Sequence, residues 1–257
     1  MKMKLKYYLK RILNNKLKLS TVILIFLFVI IDAFTYLSDM QLESSVPLPD
    51  LTSVLSARSD IRFVFGLLIW YMPLFLLLIV ADDCIEDYKL GYKQLLISKW
   101  GKRSYLRTNL IKGFVISFGV FFVALMVNLG VVHLMYAGGT YLSCSLEDLS
   151  GMELWEYQNP FLNNIIHIVL TSFFAGVVGM GAVAIAISLH NRLLVYPIVF
   201  MMWYIPSSLC ENTIIYAIQP FTEFSIFYAT PPIIQLIVIN LIAVIFMYIK
   251  ELKYAKV

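Results

Sequence analysis

Long apolar runs, separated by short charged or proline-containing stretches, follow one another along the whole chain. Six of them approach the ~20 residues that a helix needs to cross about 30 Å of hydrocarbon. They are Ser20–Leu37, Phe63–Val80, Gly113–Tyr136, Asn164–Leu189, Leu193–Cys210 and Ile233–Ile249. Polar and apolar residues do not alternate inside these runs, as they would in the strands of an outer-membrane barrel. Helices remain as the way to satisfy every backbone polar group in lipid. The expected fold is an all-α polytopic membrane protein with six transmembrane helices, forming one domain over residues 1–257.

The stretches between the runs carry their own patterns. In Met1–Leu19, Leu5, Tyr8, Leu9, Ile12, Leu13 and Leu17 recur at helical spacing among lysines. This predicts an interfacial helix, its apolar face in the acyl boundary and its lysines toward anionic headgroups. A basic flank that only sets orientation is the plainer reading. Pro197 and Pro206 are expected to kink the fifth run. Residues 211–232 are too apolar for a solvated loop and are broken at Gln219-Pro220, which suggests two short helices dipping back into the outer leaflet. In the fourth run, Ala175, Gly179, Ala182 and Ala186 form small-xxx-small pairs that let helix backbones approach closely. They suit packing within one subunit or a seam between two.

Composition agrees with the pattern. The 257 residues are 60% hydrophobic and 14% charged, with a mean hydropathy of +0.82. A soluble domain is about half apolar and about a quarter charged. The net charge of +4 does not suggest a nucleic-acid partner.

The distribution of the charge is more informative. Eighteen of the 20 lysines and arginines lie in four stretches: Met1–Leu19, residues 81–112, the turn at Arg192, and the tail with Lys250, Lys253 and Lys256. Only Arg58 and Arg62 lie elsewhere. The positive-inside rule then places both termini in the cytoplasm. The first run lacks a small-x-small cleavage site, so it is expected to stay as a span. Cys84 falls on the cytoplasmic side; Cys144 and Cys210 fall on or near the outer face, where they pair or remain two thiols.

Several chemistries have no residues to carry them. The chain holds no G-x-x-x-x-G-K-[ST], and Gly101-Lys102 is followed by Arg103. His133, His167 and His190 are isolated, with no zinc spacing, and no G-x-S-x-G occurs. No metal or cofactor site is expected, and the chain is not expected to be an enzyme. Asp32 is the one acid well inside an apolar run, a candidate for lining a pathway or for reaching the outer headgroups.

The segment Asp82–Lys112 stands apart. Asp82, Asp83, Glu86 and Asp87 come first, followed by Lys89, Lys93, Lys99, Lys102, Arg103, Arg107 and Lys112. Asp83–Lys99 is long enough for one short helix, and Arg103–Lys112 reads as a helix entering the third span. Orientation alone does not require the acids, so the segment is a candidate docking site for a soluble partner; a solvated basic loop is the alternative.

Here the chain resembles the ABC-2 type permeases, the membrane subunits of bacterial ABC exporters. The resemblance rests on Glu86, Gly91, the pair Leu95-Leu96 and Arg103, which fall in the family's order. Trp100 stands where the family has proline, and Asn109 where it has a lysine that Lys112 would replace. The amphipathic leader, the helix between the second and third spans and the re-entrant outer segment also match the family's layout.

The resemblance implies a transport subunit coupled to ATP hydrolysis elsewhere. Glu86, Asp87, Gly91, Lys93, Leu95, Leu96 and Arg103 would form the coupling surface for separate cytoplasmic ABC ATPase subunits, which use ATP and magnesium. A second permease, identical or related, would complete the pathway in the bilayer. The cargo would be an amphipathic peptide, drug or lipid-like molecule. A membrane protein that gives immunity to an antimicrobial peptide without a transport cycle is the alternative.

Overall fold

The computed structural model describes residue 8 and residues 10–40, 46–56, 63–140, 142, 145–149, 151–209, 212–222 and 226–253. Every regular element of any length among these residues is a helix. The helices are α1 (Lys16–Met40), α2 (Phe63–Trp70), α3 (Met72–Leu76), α4 (Asp82–Lys89), α5 (Tyr92–Trp100), α6 (Lys102–Met135), α7 (Gly151–Gln158), α8 (Pro160–Leu189), α9 (Arg192–Tyr204), α10 (Ile215–Ile218) and α11 (Thr230–Lys253). Short π-helical stretches, Leu77–Ala81 and Ile205–Leu209, join α3 to α4 and extend α9.

Among the described residues, four segments are long and apolar enough to cross a membrane: Lys16–Phe34, Lys102–Met135, Pro160–Leu189 and Ile226–Lys253. Phe63–Trp70 and Met72–Lys89 make a fifth when taken together, bent by 51° at their junction. The second predicted span is therefore broken at Tyr71, just before Pro73, whose ring cannot continue the backbone ladder. The fifth predicted span is met by the 13 residues of α9 and a five-residue π-helix holding Pro206. Cys210 and Cys144 lie outside the described residues.

The α8 helix is the hub, with 78% of its most apolar window buried inside the chain. It packs against α6, α11, α9, α3 and the π-helix after α3. Its small residues explain why. A Cβ on Gly179 would fall 2.7 Å from Ser117 Cβ and 2.8 Å from the Gly113 carbonyl oxygen of α6, and the Phe114 ring covers Gly176. Ala175, Ala182 and Ala186 are buried too. The small-xxx-small pairs thus serve contacts within the subunit, where close backbones gain dispersion energy.

Three local boundaries differ from expectation. The first span begins at Lys16 rather than Ser20, because Asn15 Oδ1 accepts from the Leu17 and Lys18 amides and caps the helix. Before it, residues 10–14 are helical, and Tyr8 and Ile12 are buried against protein while Leu13 and Leu17 are exposed. The charged segment is also less of a loop than expected. Where one short helix over Asp83–Lys99 is expected, two form, α4 as a continuation of the helix before it and α5, while Arg103–Lys112 is the start of α6, as expected. Gly91 (φ 70°) and Gly101 (φ 78°) interrupt the segment, isolating α5.

Candidate functional site

The acids of α4 occupy positions i, i+1, i+4 and i+5, so they form two stripes one helical turn long. Each stripe is held by one arginine. Arg192, from the turn between α8 and α9, donates Nε to Asp82 Oδ1 at 2.6 Å and Nη2 to Glu86 Oε1 at 2.9 Å. Arg11, from the N-terminal segment, sets Nε 3.0 Å from Asp83 Oδ1 and Nη1 2.7 Å from Asp87 Oδ1. Lys18 of α1 and Lys112 of α6 also pair with Asp83. Four carboxylates thus meet four cations drawn from four separate stretches of chain. Burying any one of these charges alone would be costly, and mutual pairing offsets much of that cost. The acids that orientation left unexplained are, in the folded chain, internal counter-ions.

A second node fastens α5. Lys93 Nζ donates to Glu251 Oε1 near the end of α11 at 2.7 Å and lies 3.0 Å from His190 Nε2. Lys102 Nζ lies 3.6 Å from the other oxygen of Glu251. His190 ends α8 in the left-handed region (φ 55°), and its ring stacks on Tyr88 at 3.7 Å between centroids. Burial, and then the neighbouring Lys93 charge, hold its pKa down to about 4. It is therefore neutral at pH 7 and accepts the lysine proton. Close by, Lys250 Nζ donates to the Ser188 carbonyl at 2.5 Å.

The residues singled out in the sequence fall into two groups. Asp87, Lys93 and Leu96 are buried and hold α4 and α5 to the bundle. They face inward. Gly91, Leu95 and Arg103 are exposed, and Glu86 is partly so while bound to Arg192. Around them lies an apolar tip: Leu90 is 77% exposed and Leu95 62%, with Tyr88 and Tyr92 also exposed. At 3.6 residues per turn, Tyr92, Leu95 and Lys99 share one face of α5. Lys93, Leu96 and Trp100 share the inward face, where Trp100 meets Tyr8 edge-on at 6.5 Å.

Arg11, Lys18 and Glu251 were given no site role in the sequence, and Lys112, Arg192 and His190 appeared there only as a stand-in for a family lysine, an orientation charge and an isolated histidine. The signal that could have found the two arginines is the i, i+4 repeat of acids directly after an apolar run. Such a helix turn cannot be buried without cations from elsewhere.

At the opposite end of the bundle, residues 46–56 fold inward. Asn128 Oδ1 of α6 accepts from the Val54 amide at 2.9 Å, and Asn164 Nδ2 of α8 donates to the Asp50 carbonyl at 2.8 Å. Leu51, Val54 and Leu55 are buried. Residues 214–221 are likewise covered by protein, with Ile214, Ala217 and Ile218 buried. Glu156 of α7 accepts from the Phe221 amide at 3.0 Å and from Asn163 Nδ2 at 3.3 Å. Asp32 is 6% exposed, enclosed by the protein rather than reaching out to headgroups. Among the described residues no group of His, Cys, Asp and Glu could hold a metal ion.

Comparison with known proteins adds one relative. The chain is 27% identical over 251 residues, 96% of its own length and 98% of the other's, to a Bacillus subtilis (strain 168) protein named Uncharacterized protein YybM. No family model matches the chain, and no solved structure matches it.

Proposed function

We propose that this chain is the membrane-spanning permease subunit of an ATP-driven exporter of the ABC-2 type. It crosses the cell membrane six times with both termini in the cytoplasm. It works as a pair with a second permease, identical or related, and moves an amphipathic peptide, drug or lipid-like cargo by alternating access. ATP and magnesium are used by separate cytoplasmic ABC ATPase subunits.

The observation that carries this reading is the exposed tip of Tyr88, Leu90, Tyr92 and Leu95 on a base held by ion pairs. Exposed apolar groups in a cluster mark an interaction site. The base is tied by ion pairs to the N-terminal segment, α1, α6, the α8–α9 turn and α11. A push on the tip therefore reaches these elements together. This is what a subunit that receives work from a soluble motor requires.

The test is purification of the tagged protein in mild detergent from cells that carry its native gene neighbourhood. An ABC ATPase, identified by mass spectrometry and by its ATP hydrolysis, is expected to accompany it. The double variant Leu90→Asp, Leu95→Asp should lose the ATPase while melting as the parent does. Reversal of Glu86 to lysine should weaken coupling. Absence of any ATPase, together with no ATP-dependent cargo movement in vesicles, overturns the proposal. Protection of cells from a peptide that persists with a hydrolysis-dead ATPase would favour the immunity reading.

A further inference from the structure

A cavity of about 470 Å³ lies beside α5, lined by Tyr88, Lys89, Lys93, Gln94, Lys102 and Glu251 among others. Three of its lining groups are cationic and one is a carboxylate, leaving it a net charge of +2. The cations are not used up by their internal partners. An ammonium has three donors, and Glu251 and His190 take two of those on Lys93. Lys102 stands 3.6 Å from Glu251, beyond hydrogen-bond length. Lys89 is exposed and makes no ion pair among the described residues.

The cavity also has a definite depth. Its walls include Glu251, which follows the apolar run Ile233–Ile249, and Lys102, which opens the longest spanning helix. Glu251 marks the point where apolar chain gives way to charge, the level of lipid headgroups, and Lys102 lies 3.6 Å from it. Basic pockets between helices at that level suit anionic headgroups. The exposed apolar face of α5 carries Tyr92 and Leu95, whereas Gln94 and Ile97, which line the cavity, lie on another side of the same helix. One short helix can thus serve a protein partner and a lipid at once.

We propose that this cavity binds the phosphate of an acidic phospholipid headgroup, seated between Lys89, Lys93 and Lys102. The bound headgroup would link α5 to the starts and ends of the long helices. The inference needs only that these helices cross a membrane, and it stands or falls separately from the exporter reading.

Native mass spectrometry of the purified protein, titrated with phosphatidylglycerol or phosphatidylcholine in detergent, tests it. The protein should retain phosphatidylglycerol preferentially. Lys89→Ala with Lys102→Ala should weaken that retention about tenfold or more, at about fivefold per lysine. Lys99→Ala with Lys253→Ala makes the same change in net charge outside the cavity and should change retention less than about threefold. Should the first pair fail to fold, the single change Lys89→Glu on an exposed side chain should still weaken binding at least about fivefold. Equal retention of the two lipids overturns the proposal. So does an equal loss in the control pair, or displacement of the lipid by millimolar inorganic phosphate, which would mark a soluble anion as the ligand.

Discussion

Lys93 Nζ lies 2.7 Å from Glu251 Oε1, joining a short helix in the first half of the chain to the last helix, 158 residues on. Each side chain is 10% exposed, so the pair is nearly dry. Removing one partner of such a pair strands the other and typically costs about 3–5 kcal/mol. Glu251→Ala should therefore lower the melting temperature in detergent sharply, because it strands the buried Lys93. Replacing both members of the pair with leucine should recover much of the loss. If Glu251→Ala melts like the parent, the pair does not hold α5.

The clamp made by Arg11 is expected to behave differently. It fixes the N-terminal segment to Asp83 and Asp87, with Lys18 and Lys112 still available to Asp83. Arg11→Ala should release the segment around residues 10–14 while the bundle survives. The check is limited proteolysis, with faster cleavage near Leu13, beside a lower melting temperature because Asp87, 4% exposed, loses its ion pair. Arg11→Lys should restore only part of the protection, since one ammonium cannot reach two carboxylates as the forked guanidinium does.

How much of this was legible in the sequence follows from the range of each interaction. The apolar runs declare themselves by length alone, so the long apolar helices could be placed, whereas the one short helix expected over Asp83–Lys99 is split at Gly91 into α4 and α5. The buried polar architecture could not be placed. Asp83 reads as a loop acid because its partners, Arg11, Lys18 and Lys112, lie far from it in the chain. Asp50 and Asn164 are 114 residues apart, and nothing local to residues 46–56 signals that they fold inward. The exposed tip at Leu90 and Leu95 was half legible. Its apolar residues were visible in a charged segment, but which of them face outward depends on the turn that Gly91 makes.

The packing of α8 supplies a matched pair of tests. Gly179→Ala would bring its Cβ against Ser117 Cβ and the Gly113 backbone, neither of which can swing away. It should cost about 1–3 kcal/mol, and Ser117→Ala, which removes the Oγ nearest the new Cβ but not the Ser117 Cβ or the Gly113 carbonyl, should rescue it only in part. Gly181→Ala instead meets the side chain of Asn240, with Cγ 2.8 Å away. Asn240→Ala should relieve that clash. Thermal unfolding of the four single and two double variants distinguishes a backbone obstacle from a side-chain one.

On the far end of the bundle, Glu156 offers a test of hydrogen bonding. Its carboxylate accepts from the Phe221 amide, a residue in the left-handed region at φ 59°. Burial pushes the Glu156 pKa up, so the neutral acid is the form the fold favours. Glu156→Gln keeps an acceptor without the charge and should be neutral or slightly stabilising at pH 7. Glu156→Ala leaves a buried amide without its acceptor, at a cost of about 1–3 kcal/mol. Equal melting of the two variants would remove the hydrogen bond from the account.

His190 sets the expected response to acid. Its pKa is lowered from 6.5 to about 4 in the folded protein. Between those values the unfolded chain binds a proton that the folded chain does not, so stability rises with pH across the window. The contribution is complete above pH 6.5 and is lost progressively as pH falls toward 4. Protonation would also set a positive ring against Lys93 Nζ, 3.0 Å away, and remove the acceptor that the lysine uses. Asparagine tolerates the left-handed backbone at this position and does not titrate. Melting temperatures of the parent and of His190→Asn, measured from pH 7 to pH 4, should therefore converge as the pH falls, the parent losing more than the variant. Parallel curves would show that this histidine is not what acid attacks.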